Sequence, residues 1–165
     1  MIAVEVAVPC AAWKRALPGH AALARRAARA AARRASPRLG AAEVSLVLAD
    51  DRFVAGLNRA WRRKRGATNV LSFPCRAGDA RHPARREPEL LGDVVVAYET
   101  VAREAGRSGL PLADHFAHLV VHGVLHLFGH DHVKDAEARV MQGLEAAALA
   151  ELGIDDPYQR AENAS

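Results

Sequence analysis

Apolar and polar residues alternate from Ile2 to Val8, with Ile2, Val4, Val6 and Val8 on one side, the period of a half-buried strand. From Leu23 to Ala35 the period becomes helical. Alanines fill most positions, Arg25, Arg29 and Arg33 recur four apart, flanked by Arg26 and Arg34, and Pro37 and Gly40 end the element. Val44 to Ala49 returns to strand character. Asp50 or Asp51 then caps a helix with Phe53, Val54, Leu57 and Trp61 on its apolar side. A basic loop, Arg62-Arg-Lys-Arg-Gly66, leads into a short strand, Asn69-Val-Leu-Ser-Phe-Pro74, stopped by its proline.

Residues 76–89 carry Gly78, Pro83 and Pro88 among charges and read as a loop. Leu90 to Ala97 is an apolar run broken only by Gly92 and Asp93, as in a buried strand. A helix is predicted from Tyr98 to about Arg107, ending at Gly106 or Gly109. Another starts at Pro111, runs to Phe128 and stops at Gly129. The last spans roughly Asp135 to Leu152, with Val140, Leu144, Ala148 and Leu152 on one face and Met141 as a core residue. Strands and helices are interleaved without a repeat or a boundary, so residues 1–165 read as a single α+β domain.

Composition agrees with a globule: half of the residues are hydrophobic and a quarter charged. Cys10 and Cys75 are too few for a disulfide framework or a four-thiolate zinc site. Residues 1–20 lack the basic start and apolar run of a signal peptide, and Leu119 to Phe128 is too short to span a bilayer. The expected location is the cytoplasm, with no membrane partner. Charge is lopsided: residues 1–86 hold 18 Lys/Arg against 5 Asp/Glu, whereas residues 87–165 hold 5 against 14. That imbalance points to a polyanionic partner, nucleic acid first.

The sharpest chemical signal is His122-Gly-Val-Leu-His-Leu-Phe-Gly-His-Asp-His132. Residues four apart on a helix share a side, so His122 and His126 project together. Gly129 allows a sharp exit from the helix, and His132 can swing back as a third ligand. The spacing is that of the metzincin zinc site, and three imidazoles leave one coordination position open, as in a catalytic centre. Metzincins place Glu directly after the first His as general base, and Gly123 stands there instead. A peptidase working in that way is therefore disfavoured. His118, four before His122, is a candidate for orienting a ligand or facing substrate, whereas His20 and His130 read as ordinary polar positions.

With its neighbours this segment resembles the YbeY family of bacterial endoribonucleases. The resemblance covers His115 to His132, Leu57-Asn58 with Trp61-Arg62, Thr68-Asn-Val-Leu-Ser-Phe-Pro74, Leu91-Gly-Asp-Val-Val-Val96 and Leu152-Gly-Ile-Asp-Asp-Pro-Tyr158. It implies a zincin-like fold, with a small mixed sheet of about four strands, five or so helices and the histidine helix packed on the sheet. It also implies cleavage of single-stranded RNA, maturation of the 3′ end of small-subunit ribosomal RNA and a part in ribosome quality control. One Zn2+ on His122, His126 and His132 is implied, with Arg62 as the functional arginine. The small ribosomal subunit and an associated GTPase are the implied partners. Trp61 departs from the family's usual Tyr, and Ala67 from a common Pro.

Arg62 and His122 are thus the candidate catalytic residues. A guanidinium presents a planar fork suited to phosphate. Thr68, Asn69 and Ser72 are candidate RNA contacts, although turn and capping duties explain them equally well. Two other functions compete: a metal-dependent hydrolase of another class, such as a peptidase, and a non-catalytic ribosome-binding factor with a structural zinc.

Overall fold

The computed structural model describes residues 1–75 and 88–159, so most of the loop read at 76–89 lies outside the described residues. Strands β1 (Ile2–Ala7), β2 (Ala42–Ala49), β3 (Val70–Pro74) and β4 (Glu89–Ala97) form one mixed sheet in the order β1-β2-β4-β3. β1 and β2 are parallel, as are β2 and β4, while β3 runs antiparallel along β4. The helices are α1 (Ala11–Ala16), α2 (His20–Ala35), α3 (Asp51–Arg62), α4 (Tyr98–Ser108), α5 (Leu112–Leu127) and α6 (Asp135–Glu151). This is the expected α+β architecture, with the histidine helix α5 on the sheet.

β4 is central and covered on both faces, which explains its nearly unbroken apolar run. Val94 and Val96 point into the larger core with Val44, Leu46 and Leu48 of β2, under α2 and α5. Val95 and Ala97 point the other way, meeting Leu71 and Val54 beneath α3. Six buried alanines on α2 bring its backbone close to β1 and α5, and this close approach is the reason for the alanine-rich pattern.

Three expectations change. α1 was not anticipated. It is only six residues long, and its Trp13 is fully buried, with the indole N–H donating to the Ala49 carbonyl at 3.0 Å. On α3, Val54 and Asn58 are buried and Leu57 packs against the core, whereas Phe53 and Trp61 are exposed. On α6 the expected Met141 and Ala148 are buried and Leu144 and Leu152 pack against the core, but Val140 faces solvent and Glu145 and Leu149 are buried as well. Asp50, rather than Asp51, caps α3, accepting from the Phe53 N–H at 2.8 Å.

Candidate metal centre

α5 is the most apolar helix of the chain, and its burial fixes where its histidines point. Gly123 faces the sheet: a Cβ there would sit 2.6 Å from Val94 Cγ1. The Ser72 hydroxyl, buried beside it, donates to the Gly123 carbonyl at 2.8 Å, clamping helix to sheet. His122, one residue before, is thereby turned to the open side with His126. Glycine at 123 is thus a packing requirement, and no room exists for the glutamate base of a metzincin. The peptidase alternative is not favoured.

Helix α5 ends in a reversal. Gly129 takes a left-handed conformation (φ 87°), and the His130 N–H donates back to the Leu125 carbonyl at 3.2 Å. Three residues later, His132 returns to the helix end. His122, His126 and His132 each offer a ring nitrogen, all within 4.8 Å of one another. The Nε2 atoms of His122 and His126 face each other at 3.0 Å. His118 is not part of this trio: its ring lies 6.4 Å from that of His122, and its Nε2 is 3.4 Å from Glu145.

Glu145 is the residue that sequence reasoning missed. Wholly buried on α6, its carboxylate accepts hydrogen bonds from His122 Nδ1, His118 Nε2 and the Tyr158 hydroxyl. Burial by itself would raise its pKa, but the three donors outweigh it and hold the carboxyl at about 2. A permanent carboxylate fixes the proton of His122 on Nδ1 and leaves the Nε2 lone pair free, the arrangement of a carboxylate–histidine–metal triad. Burial, followed by the neighbouring His122 and His132, lowers the pKa of His126, which favours the neutral imidazole that a metal requires. Burial and Glu145 push the Tyr158 phenol up, so it remains a donor. The available signal was a charged residue among apolar ones on α6, but its partners come from α5 and the chain end.

The histidines form one wall of a cleft of about 820 Å³. Arg62, Lys64, Thr68, Asn69 and Ser72 line it too. The Arg62 guanidinium is exposed and donates to the Ser72 carbonyl at 3.5 Å. Ser72 has its hydroxyl committed to Gly123, and the Asn69 amide donates to Glu104 at 3.1 Å. Both therefore carry the structural duties that competed with RNA contact, while still bordering the cleft. The model of the endoribonuclease YbeY family matches residues 14–153. The chain belongs to the YbeY family of endoribonucleases.

Relatives in the family are similar over nearly the whole length. The Endoribonuclease YbeY of Paramagnetospirillum magneticum is 51% identical over 157 residues, covering 95% of this chain and 96% of that protein. The one from Rhodopseudomonas palustris is 44% identical, covering 94% and 92%. The solution structure of TM1509 from Thermotoga maritima matches with a TM-score of 0.58 and 17% identity over 91% of each chain, a likeness of fold alone. YbeY membership makes the histidine cleft, rather than any other recess, the place to look for chemistry. No described helix is long and apolar enough to cross a membrane.

Proposed function

We propose that this chain is a single-domain, metal-dependent endoribonuclease that cuts single-stranded RNA in the cleft between His122 and Arg62. Its expected setting is the cytoplasm, in 3′-end maturation of small-subunit ribosomal RNA and in ribosome quality control. The small ribosomal subunit and an assembly GTPase are its expected partners there. The observation that carries the reading is the meeting of three imidazoles and a guanidinium in one cleft. The relatives' shared name, Endoribonuclease YbeY, supports RNA as substrate.

The donor set fits a metal ion. Three imidazole nitrogens converge, and the other ring nitrogen of His122 is held by Glu145. Zinc suits three nitrogens with a fourth position open, and His122, His126 and His132 would hold it. When bound, it supplies Lewis acidity to a phosphoryl oxygen and activates water near neutral pH. Arg62, exposed in the same cleft, binds the scissile phosphate with its fork and stabilises the charge that builds there. Lys64 adds a second cation, and Thr68, Asn69 and Ser72 shape the floor. His118 and Tyr158 hold Glu145, and through it His122, in place.

Metal analysis together with cleavage of single-stranded RNA and of casein tests the reading. Wild type is expected to carry about one zinc per chain, to cut RNA and to spare casein. His122→Ala should lose both metal and cleavage; retention of both by that variant would overturn the proposal. Glu145→Gln should keep the fold but weaken metal affinity about 10- to 100-fold.

A further inference from the structure

The chain holds two tryptophans in opposite situations. Trp13 is sealed in the core with 0% exposure, whereas Trp61 is 73% exposed in the last turn of α3. An exposed indole on its own is unremarkable, because single apolar residues are common on surfaces. The setting of Trp61 is what distinguishes it. Arg59 lies one half-turn before it, and Arg62, Arg63, Lys64 and Arg65 follow directly, all exposed. Its immediate neighbour, Arg62, lines the histidine cleft together with Lys64.

This corner is also held in place. Arg63 takes a left-handed conformation (φ 54°), and its N–H and that of Lys64 donate to the carbonyl of buried Asn58. The Asn58 amide donates in turn to the Gly66 carbonyl at 3.0 Å. Trp61 is therefore presented from a fixed helix end, next to a turn pinned on both sides. A flat ring with little freedom to lose, flanked in the chain by exposed cations of which Arg62 and Lys64 line the cleft, matches one chemistry. Bases stack on such rings while the flanking phosphates pair with the cations, and only an unpaired strand offers its base faces.

We propose that the Trp61 indole is a stacking platform for an unpaired base of the RNA strand whose backbone passes Arg62, making it a substrate-binding residue beside the reaction centre. This inference rests on the endoribonuclease reading above and deepens it, assigning where the strand is held rather than where it is cut.

The two tryptophans make the test direct, since Trp13 is sealed and any change on adding ligand reports Trp61. The full chain is titrated with a 2′-O-methyl oligonucleotide of about ten nucleotides, within the span that one single-strand site covers. The single strand should quench emission and shield it from acrylamide, whereas inorganic polyphosphate and a blunt duplex of the same sequence should not. Trp61→Ala should weaken binding of the single strand about 5- to 100-fold. It should leave the salt dependence unchanged, because the ring carries no charge. Trp61→Phe should recover most of the affinity, and Trp13 emission shows in every Trp61 variant that the core is intact.

Equal quenching by polyphosphate, or unchanged single-strand affinity in Trp61→Ala, would overturn the proposal and leave the indole to a protein contact. If wild type still cleaves RNA in that case, the endoribonuclease reading stands and only the platform falls. If wild type neither binds nor cleaves RNA, both fall together.

Discussion

Arg25, Arg26, Arg29, Arg33 and Arg34 on α2 and Arg62, Arg63, Lys64 and Arg65 at the end of α3 are both basic runs, yet the fold uses them differently. On α2, the Nε groups of Arg25 and Arg29 lie 3.4 and 3.5 Å from the carbonyls of Val4 and Ile2 on the edge strand β1. Arg33 and Arg34 pair with Glu151 at 2.6 and 2.7 Å, tying α2 to α6. Arg25 and Arg29 thus occupy acceptors that an open sheet edge would otherwise offer to another chain. In the second run, the one side-chain hydrogen bond among the described residues is the 3.5 Å contact from Arg62 to Ser72. The difference teaches that clustered cations mark a polyanion surface only where the fold supplies no acceptors of its own. Four of the α2 arginines, Arg25, Arg29, Arg33 and Arg34, which contribute to the charge imbalance of residues 1–86, are engaged within the molecule.

The comparison breaks if the cleft run proves dispensable. Arg62→Ala should lower the rate of RNA cleavage about 10²- to 10³-fold, the cost of losing a charge-stabilising donor. Metal content and melting temperature should stay at wild-type values, since the side chain is exposed. Arg62→Lys should recover little, because an ammonium lacks the fork. Full cleavage by Arg62→Ala would remove the phosphate role. A smaller effect is expected from Arg63→Ala and Lys64→Ala. Each should make the slope of log affinity against log salt shallower by about 0.7 for a single strand, one phosphate contact apiece. Arg33→Ala and Arg34→Ala should leave that slope alone, and a loss of slope there would return α2 to the RNA surface.

Local pattern carried much of this in the sequence. Period-two alternation in β1, the apolar run of β4, Asp50 as a cap and the His-x3-His-x2-Gly-x2-His spacing are all short-range signals, and the elements they predict are present. What was not legible depends on residues distant in the chain. Trp13 sits in a helix too short to show a period, and its packing against Tyr98 and Phe116 appears only after folding. Glu145 is a charge on an otherwise apolar helix face until His118, His122 and Tyr158 are seen around it. Trp61 shows the reverse: an apolar residue in register with the inward face of α3 that is nevertheless exposed. Gly123 was legible as an absence of glutamate, but its reason, the contact with Val94, needed the sheet.

On α2 the expected effects are on stability. Arg29→Ala should destabilise the fold by about 1 kcal/mol, the ordinary net contribution of one hydrogen bond, and should expose the β1 edge to association at high concentration. RNA affinity should be unchanged. Denaturant midpoints and sedimentation read the first two, and a wild-type midpoint would show that the Ile2 carbonyl is satisfied by water.

The smallest effect belongs to Glu151. Its carboxyl is held below the ordinary value of 4.5, chiefly by the hydrogen bond from Arg33 and then by that from Arg34. A carboxyl with a depressed folded pKa contributes stability above its unfolded value and loses it as pH falls through the folded one. Glu151→Gln should therefore cost under about 1 kcal/mol near neutral pH, given the partial exposure of the pair. The difference from wild type should shrink as pH drops below about 4.5 and vanish once Glu151 is protonated in both states. It should also shrink in concentrated salt, which screens exposed charges. A Glu151→Gln deficit that persisted unchanged into acid would mean that packing of the side chain, rather than its charge, joins α2 to α6. The contrast between the two basic runs would then rest on Arg25 and Arg29 alone.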